Sequence, residues 1–175
     1  VKADLEAQIA ANAHAAQALI ALGPGERIDR WMKHLFEVSE LQVRALVGGL
    51  KSAEAEDVIG GVALRLRMHC EEDRVVMDFS GTQGPHAGNL NAPRAVVRAA
   101  VLYALRCLVG RDFPLNEGAL EPVEIRLPAQ SILSPPPDAA IVGGNVETSQ
   151  RITDLVLRVA SAQASSQGTM NNLTI

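Results

Sequence analysis

Between Ala3 and Leu22 the apolar residues Leu5, Ile9, Ala13, Ala16 and Ile20 recur at three- and four-residue spacing, the period of one helical face. Gly23-Pro24-Gly25 stops that pattern. A second helical stripe, Ile28, Trp31, Leu35, Val38, Leu41 and Ala45, runs over 26–47 and ends at Gly48-Gly49. The short turn predicts an antiparallel helix pair, and residues 1–50 are expected to form a helical-hairpin subdomain. The period then drops to two. In "VALRLRMHC" Val62, Leu64, Leu66 and Met68 face one way, and Arg65, Arg67 and His69 face the other, as in a half-buried strand. "EEDR" turns the chain and "RVVMDFS" returns it, which makes a β-hairpin. A third helix is predicted over 93–109, with Pro93 in its first turn. It is apolar on nearly all sides apart from Arg94, Arg98 and Arg106 and so belongs in the middle of the structure, with Val97, Val101, Ala104, Leu105 and Leu108 out of solvent. A short strand over 123–128 and a fourth helix over 149–164 complete the series. The fourth helix turns Ile152, Leu155, Val156 and Val159 inward and Arg151, Asp154 and Arg158 elsewhere. Helices and strands ordered this way predict an α+β fold, with residues 51–175 as its core.

Composition narrows the function classes. At 47% hydrophobic residues the chain can build a core, and at 3% aromatics that core is aliphatic and offers no base-stacking platform. A net charge of −4 without a basic block argues against nucleic acid. No apolar run reaches membrane-spanning length, and there is no signal-peptide pattern. Cys70 and Cys107 lie far apart in apolar segments, which reads as buried free thiols and a cytoplasmic setting. The chain opens on Val1 and runs straight into a helical pattern, as expected of a piece of something longer.

The common catalytic signatures are missing: no P-loop, no GxGxxG after a strand, no HExxH, no GxSxG and no CxxC. His14, His34 and His69 read as surface or filling positions, and His86 as a loop histidine with a ligand or general-base alternative. Loops carry the stronger signal. Ser80–Ala92 is a long, glycine-rich connection. In "NLNAP", Asn89 and Asn91 precede a helix start. They read either as caps or as donors at a helix N-terminus that attracts anions. "IVGGNVETSQR", 141–151, has the same grammar, with Gly143 and Gly144 ahead of Asn145, Glu147, Thr148, Gln150 and Arg151. "GTMNN", 168–172, is a third such cluster. If the three form one site, they must meet in space.

Together "DFSGT", "NLNAP", the Pro114-x-Asn116-x-Gly118 turn, "GGNVETSQR" and "GTMNN" resemble, in that order, the B-type subunits of the hydantoinase/oxoprolinase family. That family takes in N-methylhydantoinase B subunits, the corresponding half of 5-oxoprolinase and the alpha subunits of acetone and acetophenone carboxylases. Two departures stand out: "GLKSAEAEDVIGG" lacks the usual Pro and Gly, and His86 lies outside the pattern. The resemblance is to the middle-to-C-terminal part of such proteins, without their amino-terminal metal-site segment. It implies a division of labour. An A-type subunit or domain spends ATP to phosphorylate the carbonyl or enol oxygen of a cyclic amide or ketone. The B-type side then hydrolyses the ring amide or carboxylates the substrate. ATP and a divalent metal are implied for the full complex and no cofactor for this segment, and an oligomer is expected. Ser80, Gly81, Thr82, Asn89, Asn91, Gly144, Asn145, Thr148, Gln150, Arg151, Asn171 and Asn172 are the substrate- or anion-binding candidates, with Asp78 and Glu147 as the candidate carboxylates. A rival expectation is a non-catalytic scaffold or subunit-assembly domain of the same complex.

Overall fold

The computed structural model describes residues 1–162. Two long helices, α1 (Lys2–Ala21) and α2 (Gly25–Val47), lead into strands β1 (Ala53–Ile59), β2 (Val62–Cys70) and β3 (Val75–Asp78). Then come α3 (Arg94–Val109), a 3-10 turn (Glu117–Leu120), β4 (Val123–Arg126), a π-helical turn (Gly144–Thr148) and α4 (Ser149–Val159). The strands form one sheet in the order β1-β2-β3-β4; the first two pairings are antiparallel and β3 pairs with β4 in parallel. This is an α+β fold, as the order of elements predicts.

The inner face of the sheet carries Leu64, Leu66, Met68, Val75 and Met77, all buried. Helix α4 lies against β1 and β2, and α3 packs along α4, adding Val97, Ala100, Val101, Ala104 and Leu105 to the same core. Leu108 is only half-buried, and Tyr103 and Cys107 stand in solvent, so α3 has one outward face after all. The thiol of Cys107 is therefore exposed rather than buried. Helix α4 buries Ile152, Leu155, Val156 and Val159 as its periodicity predicts, and it buries Asp154 as well.

Strand β1 has no counterpart in the periodicity analysis. Its alternation is masked because three of its four core-side residues are Ala53, Ala55 and Asp57, and only Ile59 is a large aliphatic. Gly60 and Gly61, both at positive φ, make the tight two-residue turn to β2 that a right-handed hairpin twist requires. A side chain at Gly60 would also fall 2.6 Å from His86 Nε2.

The two helices of the amino-terminal region pack differently from the sequence expectation. The stripe residues Trp31, Leu35 and Leu41 of α2 remain exposed, and the helix buries Ser39, Val43 and Val47 instead. What rotates it is the turn at Pro114–Gly118. The Ser39 hydroxyl donates to Pro114 O at 2.5 Å, and Asn116 Nδ2 donates to Leu35 O at 3.1 Å. A Cβ on Gly118 would lie 2.8 Å from the main chain of Phe36, so glycine is what lets this helix approach. Helix α1 buries none of its residues.

Candidate active site

Asp78 ends β3 with its side chain half-buried, and its Oδ1 accepts the Ser80 N–H at 2.8 Å. This is an Asx-type turn, which bends the chain out of the sheet. That hydrogen bond, the Ser80 side chain first, and then the Arg126 and Arg67 guanidiniums hold the Asp78 carboxyl below its ordinary range against the opposing effect of burial. Register places Glu54, Arg67, Asp78 and Arg126 opposite one another across all four strands, a row of alternating charge. Beside it a groove of ≈ 590 Å³ runs over the outer sheet face, lined by Arg65, Arg67, Asp78, Ser80 and Gly81 among others.

Beyond β3 the long loop takes over a missing strand's duties. Thr82, buried, stands beside Arg65 of β2: its Oγ1 accepts Arg65 N–H at 3.0 Å and donates to Arg65 O at 3.2 Å. Gln83 N–H donates to Ala63 O, and Gln83 Oε1 accepts the Ala63 N–H in return. Ile132 N–H donates to Gln83 O, and Ala92 N–H to Ile132 O. The peptide groups of β2 that β3 is too short to reach are thus satisfied by the Thr82 and Gln83 side chains and by the Gln83 main chain, as buried main-chain groups demand.

Asn91 is fully buried and occupied on every side. Its Oδ1 accepts His86 N–H at 2.8 Å, and its Nδ2 donates to the carbonyls of His86, Gly88 and Ala140 at 2.9, 3.1 and 3.0 Å. It neither caps α3, whose N-cap is Pro93 without a side-chain cap, nor turns its amide to a ligand. The bond to Ala140 begins a seam. Thr148, buried, donates to Leu90 O at 2.5 Å. A Cβ on Gly143 would lie 3.0 Å from the Asn89 oxygens, and one on Gly144 would lie 2.7 Å from the Asn91 carbonyl carbon. The first two polar clusters therefore converge. They do so through side chains that donate to main-chain carbonyls across the seam, with Gly144 pressed against the Asn91 main chain where a side chain has no room. The chain enters α4 through a π-helical turn, a distortion frequent at functional sites.

The candidates thus divide. Thr82, Asn91, Gly144 and Thr148 are consumed in holding the loops together. Ser80, Gly81, Asn89 and Asn145 are exposed, and Glu147 and Gln150 are half-buried. Gln150 Nε2 donates to Val146 O at 2.5 Å. Arg151 is directed elsewhere: its Nη1 lies 3.7 Å from Asp57 Oδ2, which Arg158 approaches to 3.8 Å. Arg151 therefore ties α4 to β1 instead of facing an anion. Arg65, Arg67 and Asp57 were not among the candidates, although the outward alternation of β2 already marked the two arginines. Gly168, Asn171 and Asn172 lie outside the described residues. His86 accepts the Gly88 N–H at Nδ1, which leaves Nε2 to carry the proton of the neutral ring. Among the described residues no three His, Cys, Asp or Glu side chains gather as metal ligands, and no helix is long and apolar enough to cross a membrane.

An α+β layer with glycine-rich loops joined at one end of its sheet, carrying these motifs in this order, defines a hydantoinase B-type unit. The family model described as hydantoinase B/oxoprolinase matches residues 1–175, and the chain belongs to that family. It is 44% identical to 5-oxoprolinase 1 of Arabidopsis thaliana over 98% of its length, and 39% identical to the 5-oxoprolinase of Saccharomyces cerevisiae over the same share. The chain spans only 15% and 14% of those two relatives. The fold is also that of an ATP-dependent caprolactamase from Pseudomonas jessenii, with a TM-score of 0.74 at 18% identity, covering 94% of this chain and 30% of that one.

Proposed function

We propose that this chain supplies part of the amide-hydrolysing side of an ATP-dependent cyclic-amide hydrolase, the B-type side that acts after an A-type component has phosphorylated the substrate's carbonyl oxygen. The observation that carries the reading is the match of the whole chain to 5-oxoprolinases at 39–44% identity. In physical terms a phosphorylated carbonyl is an activated electrophile. The second site must hold its anionic oxygen and position water against the carbon. The exposed donors Ser80, Asn89 and Asn145 flank the loop seam and suit the first task. Of the two candidate carboxylates, Glu147 suits the second better, because it lies in the π-helical turn two residues from the exposed Asn145, whereas Asp78 ends β3. The sequence has no P-loop and the described residues hold no metal-ligand cluster, so on this reading ATP and a divalent metal are handled by other parts of the full complex.

The test places residues 1–175 in the S. cerevisiae 5-oxoprolinase in exchange for the segment they match, with ATP and 5-oxoproline, caprolactam and hydantoin as parallel substrates, and acetone plus bicarbonate as the carboxylation arm. Glutamate released in step with ADP is the expected result, together with no ATPase from the 175-residue chain alone above a heat-killed control. Glu147→Gln should lower turnover by about 100-fold or more at unchanged stability, the size of a lost general base. Product formation only in the bicarbonate arm, or none in any arm from a folded graft, overturns the reading. A scaffold role is the second reading. It is favoured by Asn91, Thr82 and Thr148 being spent on main-chain hydrogen bonds, and it predicts that Glu147→Gln leaves turnover intact.

A further inference from the structure

His86 stands in the middle of the long loop, half-buried, and the proposed reaction leaves it unused. Its polar atoms are nonetheless occupied. Its N–H donates to Asn91 Oδ1 at 2.8 Å, its carbonyl accepts Asn91 Nδ2 at 2.9 Å, and its ring Nδ1 accepts the Gly88 N–H at 2.8 Å. The Gly88 carbonyl accepts a further bond from Asn91 Nδ2 at 3.1 Å. Gly88 is therefore held at its N–H by an imidazole and at its carbonyl by an amide, and that carbonyl belongs to the peptide bond leading into Asn89. The ring itself has little room to move. A Cβ on Gly60, in the β1–β2 turn, would fall 2.6 Å from its Nε2 and 2.9 Å from its Cδ2, and one on Gly88 would fall 2.9 Å from its Cε1. Two glycines from different elements thus close on the imidazole, and the hairpin turn backs the loop.

An exposed glycine has the most backbone freedom to lose and fixes its neighbours least. Gly88 is exposed, and it precedes Asn89, one of the donors assigned above to the anionic oxygen. Such a donor serves a developing charge only when its place is set beforehand. We propose that His86 is a positioning residue. Through Nδ1 it latches the Gly88 main chain, and so fixes Asn89 for the developing oxyanion without touching the substrate. The positioning role rests on the reaction proposed above, whereas the latch does not. The latch needs an acceptor where Nδ1 lies and nothing else of the imidazole. Asparagine supplies one, because its side-chain oxygen falls at the place of Nδ1. Glutamine carries its amide one bond further out, toward Gly60, and alanine has no acceptor at all.

The test uses the S. cerevisiae 5-oxoprolinase carrying residues 1–175 in exchange for the segment they match. Grafts with His86, His86→Asn, His86→Gln and His86→Ala are compared in ATP-dependent hydrolysis of 5-oxoproline and in hydrogen exchange at the Gly88 amide. Glutamine and alanine should speed Gly88 exchange by about tenfold or more. They should lower kcat by about 10- to 100-fold with KM within about twofold, because an oxyanion donor acts in the transition state. Asparagine should restore both the slow exchange and the kcat. Equal Gly88 exchange in all four overturns the latch. Gly88 freed by glutamine at unchanged kcat overturns the positioning role and leaves the proposed reaction standing. Asparagine as inactive as glutamine assigns the effect to something other than an acceptor at Nδ1 and overturns the proposal too. If the folded graft with His86 hydrolyses nothing, it is the proposed reaction that fails, and with it the positioning role; Gly88 exchange then decides the latch by the same comparison. Should the alanine variant not fold, the asparagine and glutamine variants decide by themselves.

Discussion

Gly143 and Gly144 are neighbours in sequence, neither has positive φ, and both precede the same helix, yet replacing them by alanine should have opposite effects. Alanine at Gly144 would place its Cβ 2.7 Å from the Asn91 carbonyl carbon, closer still to its oxygen, and 3.0 Å from Ala92 Cα, where ordinary contact begins at 3.4 Å. Those atoms cannot retreat cheaply. Asn91 is tied by its amide to three carbonyls and one N–H, and Ala92 N–H donates to Ile132 O at 2.7 Å. Forcing a methyl into a packed interior typically costs about 1–3 kcal/mol, and the main-chain nature of this clash puts it at the upper end. Against that stands the helical preference for alanine, about 1 kcal/mol. Gly144→Ala should therefore lose about 1–2 kcal/mol net. At Gly143 every contact is at 3.0 Å, to the main-chain and side-chain oxygens of the exposed Asn89 and to the Leu90 side chain, so relief takes a shift of only a few tenths of an ångström. Gly143→Ala should be neutral or stabilising by up to about 1 kcal/mol. Urea unfolding followed by far-UV circular dichroism resolves this gap, since about 2 kcal/mol moves the midpoint by roughly 1 M for a chain of this size. If the two variants unfold together, or if Gly144→Ala is the more stable, the loop seam described above does not exist.

Leu105 is fully buried in α3, so Leu105→Asp should cost several kcal/mol and leave an unfolded or aggregated chain, because an unpaired buried charge is among the most damaging single changes; a soluble, cooperatively folded variant would remove α3 from the core. Asn116→Ala deletes both the acceptor for Gly118 N–H and the donor to Leu35 O. It should cost about 1–2 kcal/mol in thermal unfolding and speed amide exchange in the second half of α2; unchanged exchange there would show that the turn does not hold the helix. Because Asp78 is held below its ordinary carboxylate range in the folded chain, the unfolded chain binds more protons in acid. Its contribution is complete above the ordinary carboxylate value and is lost as pH falls through the lowered folded one. Asp78→Asn should therefore flatten the stability profile below about pH 4, and an unaltered acid limb would contradict the Ser80 hydrogen bond.

Periodicity reports a residue's side of an element only when a core lies on that side. It succeeded for β2, α3 and α4, whose aliphatic positions meet one another across the inner sheet face. It failed for α2, because the stripe through Trp31, Leu35 and Leu41 answers to something other than this core, and the burial of Ser39 depends on a carbonyl 75 residues away. It passed over β1 because alanines and an aspartate face the core there, so the alternation has no hydrophobic contrast to display. The Gly60-Gly61 pair was the available signal, and positive φ at both positions is what it encodes. Convergence of the 80–92 and 141–148 loops was legible as a possibility. Its chemistry was not, since whether an asparagine meets a ligand or a carbonyl depends on which backbone the fold brings within 3 Å.

Asn91 shows why polar loop motifs in this fold carry two meanings at once. A thirteen-residue connection that starts beside a shortened strand leaves many peptide groups to satisfy, and burying them unpaired would cost about 1–3 kcal/mol each. Side-chain amides and hydroxyls are the compact way to do this without another strand. Thr82 brackets Arg65, Gln83 brackets Ala63, and Asn91 gathers three carbonyls. With the interior settled, the exposed residues beside these braces are held in place, Ser80 by Asp78 among them. Ser80 sits two residues from one brace, Asn89 two from another, and Asn145 follows the glycines that press on Asn91. A reaction that must hold a developing anion needs donors whose positions are decided before the substrate arrives. On the proposed reading the braces serve the reaction by fixing its donors without touching the substrate, and Asn89 and Asn145 are where those donors are expected. Truncating a brace should lower stability and activity together; truncating Asn89 or Asn145 should lower activity alone.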